Sequence, residues 1–149
     1  MIIVSACLAG VNCKYDGGNN ACQNVMKLVS EGAAIPVCPE QLGGCCTPRP
    51  PAEIIGGRGA DVLDGKCRVM RKNGEDVTDE FIKGAQEVLK IARLVGAKKA
   101  ILKAKSPSCG CGAIYDGTFT GRLAEGSGVT AELLTRNGIE VVTEYYTGI

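Results

Sequence analysis

Short apolar stretches alternate with polar, glycine-rich turns along the chain, and this pattern predicts strands alternating with helices. The first six residues are apolar and β-branched and stop at a Gly-rich turn, as expected of a buried strand. Three later stretches have the same character. The pattern therefore predicts strands at residues 1–6, 33–37, 100–104 and 139–143.

One segment carries the clearest helical signal. Apolar residues recur at helical spacing over 79–96, with Thr78 as the predicted cap and acidic residues in the first turn. Two shorter helices are predicted, one at about 21–31 with Asn20 as its cap and one at about 128–136. Helices therefore separate most of the predicted strands.

This order of elements predicts an α/β fold. Strands joined through helices form a mostly parallel sheet with helices on both faces, which is a three-layer, Rossmann-like α/β/α architecture. The length of 149 residues fits a single domain over 1–149. Ligands in such sheets bind beyond the carboxyl ends of the strands, so the loops at that edge are the place to look for chemistry.

The segments between these elements are rich in Gly, Pro, Asn and Ser. Residues 10–20 and 105–128 are predicted as loops, the second long enough to be functional. Residues 38–52 hold four prolines and two glycines, which predicts a rigid active-site loop without regular structure. Residues 53–77 carry strand-like pieces, such as 67–70, and predict a hairpin or flap.

Nine cysteines and no histidine are the most informative feature of the composition. The short apolar N-terminal stretch lacks a basic leader, which predicts a cytoplasmic protein, where thiols serve metal binding or catalysis more often than disulfides. Mixed Cys/His zinc sites are excluded, whereas an all-thiolate site suits zinc or an iron–sulfur cluster. A net charge of +1 and the lack of a long apolar run argue against a DNA-binding protein and against a membrane span.

Cys7, Cys38 and Cys109 each follow a different predicted strand. Because the carboxyl ends of parallel strands meet at one edge, we expect these thiols to lie together, with Cys13 in an adjoining loop as a fourth candidate. The chain has no CxxC pair, so scattered single ligands favour a cluster held across a cleft over a local zinc site. The alternative is that each is a small buried core residue.

The other five cysteines carry weaker signals. Cys22 in a predicted helix and Cys67 in a strand-like piece are predicted to be core residues. The roles of Cys45, Cys46 and Cys111 stay open between spare thiols, an alternative ligand set and surface residues.

Without histidine, a general acid or base must be a carboxylate, Lys, Tyr or Cys. Asp16 and Glu40 are candidates because they lie beside the cysteine loops. Lys105 and Ser106, which precede the last of those loops, are candidates for holding an anion or a polar heterocycle, and Arg49 between two prolines for clamping a phosphate or carboxylate. The alternatives are a turn role for Asp16 and solvated surface charges for the other three ionisable residues.

Three motifs together resemble a small bacterial and archaeal family whose studied members are thiouracil desulfidases. They are S-A-C-L-x-G-x-x-C-K-Y-D-G at 5–17, P-V-C-P-E-x-x-G-G-x-x-T-P-R-P-P-A-E at 36–53 and K-S-P-S-C-G at 105–110. The resemblance covers essentially the whole chain. The chain departs from the family after its paired glycines, where Cys45-Cys46 stand in place of a usual Leu-Pro.

The resemblance implies an oxygen-sensitive [4Fe-4S] cluster held by only three cysteines. By motif position the ligands would be Cys7, Cys38 and Cys109, and Cys13 also lies inside a motif. The fourth iron would bind the sulfur of a thiolated uracil, which is replaced by oxygen without net redox change. Thiouracil, thiouridine and thiolated tRNA are all possible substrates under this interpretation.

Family membership would also give roles to the polar candidates. Glu40 or Asp16 would activate the attacking water, and Lys105, Ser106 and backbone N–H groups would stabilise the developing negative charge. The expected enzyme is thus a desulfidase of hydrolase type, and it could act as a homodimer.

Two other functions are compatible with the residues. The chain could be a non-catalytic module that binds zinc or an iron–sulfur cluster as a sensor or as a carrier of metal or sulfur. It could also be a thiol-redox enzyme that uses Cys109 and Cys111.

Overall fold

The computed structural model describes residues 1–146, and its centre is a four-stranded parallel sheet. The strands are β1 (Ile2–Ser5), β2 (Ala34–Val37), β5 (Lys99–Leu102) and β8 (Glu140–Thr143). Their order across the sheet is β2-β1-β5-β8. All four predicted strands are present and parallel, which confirms the predicted sheet.

Helices cover both faces of this sheet. On one face, α4 (Thr78–Leu94) and α5 (Val129–Arg136) enclose a cluster with Ile3, Ala100 and Leu102 of the strands. On the other face, α1 (Gln23–Ser30) packs against Val4 and Ile101. Alternate residues of β1 and β5 therefore enter opposite cores, as the period of a strand requires. The three-layer α/β/α prediction is confirmed.

Two antiparallel pairs lie outside the sheet. The strands β3 (Ala52–Ile55) and β4 (Arg68–Arg71) pair directly with each other, and α3 (Gly59–Leu63) lies in the connection between them. This pair confirms the hairpin expected within residues 53–77. The strands β6 (Ala113–Tyr115) and β7 (Leu123–Glu125) form a second hairpin. This hairpin corrects the prediction of a loop over residues 105–128. Each of its strands is only three residues long, which is too short to show a clear alternation of apolar and polar residues in the sequence.

The segment 38–52 also contains regular structure, because α2 (Pro39–Leu42) forms one helical turn there. Proline is acceptable at this position since the first turn of a helix has no partner for its N–H groups. A composition rich in proline therefore does not exclude a helical turn that begins at a proline.

Both predicted helix caps are wrong. The residue before α1 is Cys22, and Asn20 instead hydrogen-bonds through its backbone N–H to the carbonyl of Cys7. Thr78 is the first residue of α4, where its hydroxyl accepts a hydrogen bond from the Val69 N–H and donates one to Asp76. Asp76 Oδ1 also accepts the Thr78 N–H, so Asp76 makes the local side-chain bond at the start of α4.

None of the helices among the described residues combines the length and the apolar character needed to cross a bilayer.

Candidate active site

A cleft of about 500 Å³ opens at the carboxyl ends of β1, β2 and β5. The order of the strands reverses between β1 and β5, and such a switch point is where open parallel sheets leave a crevice for ligands. The volume lies within the range of about 300–1,000 Å³ that is usual for small-molecule sites.

Four cysteines line this cleft, and each comes from a different local structure. Cys7 lies in the 3₁₀ turn that follows β1, and Cys38 caps α2 directly after β2. Cys13 lies in the loop before α1, and Cys109 in the loop after β5. The structure therefore brings together all four thiols that the sequence singled out.

The Cys13 thiol lies beside the thiols of Cys7 and Cys38 and interacts with both. Its hydrogen bond lowers the pKa of Cys7 to about 7 and the pKa of Cys38 to about 7, even though burial acts in the opposite direction. The same two contacts raise the pKa of Cys13 itself. Two of the thiols are thus prepared to be thiolates near neutral pH, the form that binds metals.

Cys109 is more deeply buried than Cys7 and Cys38, and its burial raises its pKa. The Ser5 hydroxyl donates a hydrogen bond of 3.3 Å to its sulfur and accepts one of 2.9 Å from the Lys103 N–H. The loop around it is held by α5, whose first N–H groups donate to the carbonyls of Pro107 and Ser108. Cys109 is therefore fixed relative to both β1 and β5.

This donor set suits a thiolate-bound cluster better than a single ion. Among residues 1–146, no three His, Cys, Asp or Glu side chains are arranged to hold one metal ion. Soft thiolates spread along one cleft match the ligands of an iron–sulfur cluster, which binds each cysteine at a different iron.

Glu40 lies in α2 beside the cysteines, and Arg49 fixes it. The Arg49 Nε–H donates to Glu40 Oε1 at 3.1 Å, in an ion pair whose arginine side chain is only 4% exposed. The same guanidinium donates to Thr47 Oγ1 and to the backbone carbonyls of Cys13 and Cys46. Arg49 is thus an internal clamp rather than a solvated surface charge, and it lines the cleft beside Glu40.

Ser106 and Lys103 also line the cleft. Ser106 Oγ accepts hydrogen bonds from the N–H groups of Ser108 and Cys109, so the hydroxyl proton remains to be donated elsewhere. The Lys103 ammonium pairs with Glu144 at 2.9 Å and contributes to the lowered pKa of the Cys7 thiol. The cleft therefore holds a carboxylate, a hydroxyl and an ammonium beside the thiols.

The model of the family described as 2-thiouracil desulfurase matches residues 2–145. The chain belongs to the 2-thiouracil desulfurase family. The uncharacterized protein YbbK of Bacillus subtilis (strain 168) is 51% identical over 144 residues, which are 97% of this chain and 95% of that protein. A solved structure of the [4Fe-4S]-dependent thiouracil desulfidase TudS is 43% identical, with a TM-score of 0.84, and the match covers 96% of this chain and 89% of that one.

Two of the sequence candidates lie away from the cleft in this member of the 2-thiouracil desulfurase family. Asp16 is half-exposed, accepts a hydrogen bond from the Gly18 N–H and pairs loosely with Lys14, as expected of a turn residue. Lys105 is exposed, with a positive φ of 72°, and does not line the cleft. The lysine that does is Lys103, which the sequence did not single out.

The remaining cysteines lie outside the cleft. Cys22 and Cys67 pack against hydrophobic clusters, as the sequence predicts. Cys45 is buried, whereas Cys46 is exposed and contacts the Pro48 carbonyl. The Cys111 thiol donates to the carbonyl of Val141, in β8, which gives no sign of a dithiol pair with its neighbour Cys109.

Proposed function

We propose that this protein is a [4Fe-4S]-dependent enzyme that hydrolyses the thiocarbonyl group of thiolated uracil. Thiouracil and water would give uracil and hydrogen sulfide, so atoms balance and no external oxidant or reductant is needed. The observation that carries this proposal is the convergence of four thiols on one cleft, beside a carboxylate fixed by a buried arginine.

In this proposal Cys7, Cys38 and Cys109 hold the cluster. Cys13 is left out of this set because thiols bound to different irons need to be spread apart, and Cys13 already contacts both Cys7 and Cys38. Cys13 then serves as the hydrogen-bond donor that favours their thiolate forms. When bound with only three protein ligands, the cluster supplies a thiophilic iron that holds the substrate sulfur.

The protein's own groups would carry out the proton transfers. Glu40 is proposed as the base that takes a proton from the attacking water. Within the described residues only its Oε1 receives a hydrogen bond, from Arg49, so Oε2 is the oxygen proposed to act. Ser106 would donate a hydrogen bond, and Lys103 would lower the cost of negative charge on the substrate.

The size of the cleft favours a small substrate. A volume of about 500 Å³ accommodates a pyrimidine base or nucleoside. The near-neutral net charge of +1 favours a small molecule over tRNA. We therefore propose a free thiolated pyrimidine as the substrate of a single-domain, cytoplasmic enzyme.

Anaerobic purification with measurement of iron and sulfide, followed by a sulfide-release assay with 4-thiouracil, tests the proposal. Glu40→Gln keeps an acceptor for Arg49 but removes the base, so we expect wild-type iron content and turnover lower by about 10²–10⁴-fold. The exposed Glu125→Gln is the matched control and should leave turnover unchanged. Tightly bound zinc without iron, or no sulfide release from the iron-loaded protein, would instead favour the non-catalytic module.

A further inference from the structure

Aromatic side chains are concentrated in the cleft. The chain contains four Tyr, two Phe and no Trp. Three of these six, Tyr15, Tyr115 and Phe119, line the cleft together with the cysteines. Planar rings in a small-molecule site suit a planar heterocycle, because every pyrimidine presents a π-face for stacking.

Phe119 is held in a conformation that aromatic residues avoid. Its φ of 57° lies in the left-handed region, which is a genuine outlier for a bulky residue. Such strain persists only where the surroundings impose it, and it is concentrated at functional sites. Glycine at this position would remove the strain, so the ring itself needs a reason to be there.

The loop that carries Phe119 is built to keep it in place. Asp116 Oδ1 accepts hydrogen bonds from both the N–H and the hydroxyl of Thr118, which closes a turn directly before the phenylalanine. Gly117 lies against β3, where a Cβ would be 2.5 Å from the carbonyl oxygen of Ile54. The loop is therefore packed closely on the β3–β4 hairpin.

A buried carboxylate fixes this arrangement. Glu53 of β3 is only 8% exposed, and its Oε1 accepts hydrogen bonds from the N–H groups of Gly117 at 2.9 Å and Phe119 at 3.2 Å. One carboxylate oxygen therefore holds the backbone on both sides of Thr118. Glu53 also lines the cleft, so it joins the strained backbone directly to the candidate site.

We propose that Phe119 is the stacking face for the pyrimidine ring of the substrate and that Glu53 is the residue that positions it. This inference rests on the proposed function for the identity of the ring. Phe119 touches the substrate, whereas Glu53 acts through the backbone of Phe119. Stacking holds the substrate equally in the ground state and in the transition state, so the effect falls on KM more than on kcat.

Steady-state kinetics of the iron-loaded enzyme separates these roles. Phe119→Leu keeps an apolar side chain without a π-face and should raise KM for 4-thiouracil about tenfold, with kcat and iron content near wild type. Phe119→Tyr keeps the aromatic ring and should leave KM near the wild-type value. Glu53→Ala removes the acceptor of both N–H groups and should raise KM several-fold, and the double variant should be no worse than Phe119→Leu alone, because both changes remove one interaction. Tyr145→Leu, at a side chain 69% exposed, is the matched control.

A second measurement works without turnover. Because the chain lacks tryptophan, Phe119→Trp introduces a single reporter into the cleft. Its fluorescence should be quenched on titration with uracil, and adding Glu53→Ala should weaken that response. Leu94→Trp, at a site 85% exposed, should not respond.

The outcomes distinguish the two proposals. Failure of the wild-type enzyme to release sulfide would refute the proposed function, whereas the tryptophan titration would still decide on Phe119. An unchanged KM in Phe119→Leu, additive effects in the double variant, or a tryptophan at 119 that does not respond to uracil would each overturn the assignment of the ring and its positioning carboxylate.

Discussion

Replacing Gly84 by alanine should displace the helix that carries Glu40. Gly84 of α4 and Gly43 after α2 face each other so closely that a Cβ on either would overlap backbone of the opposite segment. A methyl group at Gly84 would lie 2.8 Å from the carbonyl carbon of Pro39 and nearer still to its oxygen, whereas ordinary contact begins at 3.4 Å. The segment with Cys38 and Glu40 must then recede by about 0.6 Å or more, the difference between these distances.

We expect Gly84→Ala to destabilise the protein, although helix propensity alone would predict stabilisation. In an exposed helix, Gly→Ala stabilises by up to about 1 kcal/mol. Overpacking a tight contact costs about 1–3 kcal/mol, and here backbone rather than a flexible side chain must move. We therefore expect Gly84→Ala to lower the free energy of unfolding by about 1–2 kcal/mol, and to reduce turnover by up to about 10²-fold, because misplacing a catalytic group by about 1 Å has effects of that size.

Urea unfolding of the apo-protein, iron content and sulfide release from 4-thiouracil measure these effects on one preparation. Lys83→Ala is the matched control, since Lys83 is the exposed neighbour in α4 and tests propensity alone. Gly84→Ala with wild-type stability and full activity would refute the view that the contact between α2 and α4 sets the geometry of the site.

Three further predictions concern charges and thiols at the cleft. Arg49→Met leaves a partly buried carboxylate and two carbonyls without their donor, so urea unfolding should show a loss of up to about 3–5 kcal/mol; an unchanged midpoint would contradict the clamp. Lys103→Met should lower turnover at least about tenfold, whereas the exposed Lys105→Met should not; equal losses would exclude a specific role for the first lysine. In the apo-protein, Cys13→Ala should move the alkylation midpoint of Cys38 from about 7 toward 9.0, because the pKa rises when the donor is lost. Near pH 7 the alkylation rate of Cys38, followed by mass spectrometry, should then fall by up to about fifty-fold. An unchanged pH profile of this rate would show that Cys13 does not lower the pKa of Cys38.

The hydrophobic pattern predicts the sheet and the main helices well, because their faces repeat with a fixed period. The sequence predicts a helix at 79–96, and α4 extends over Thr78–Leu94. The agreement is close because the buried residues of α4 recur at helical spacing on one face. The thiols of Cys7 and Cys38 were predicted to converge for a topological reason, since each follows a parallel strand. These features depend on order along the chain, which the sequence displays directly.

The polar half of the site depends on contacts that no local pattern reveals. The prediction placed Lys105 in the cleft, but the chain turns there with positive φ, and Lys103 is the side chain that faces inward. Arg49 was considered surface charge or a substrate clamp, although its partners include a carbonyl 36 residues away. Glu53 and Phe119 were missed for the same reason, since they are 66 residues apart and meet only in the folded chain.

The position of β1 has a consequence for biosynthesis. This strand precedes both of its sheet neighbours along the chain, and its neighbour β5 begins about a hundred residues later. At ordinary rates of about 5–20 residues per second, the nascent apolar strand waits roughly 5 to 20 s for that partner. Truncation before residue 99 would leave one edge of the strand permanently unpaired and prone to aggregation.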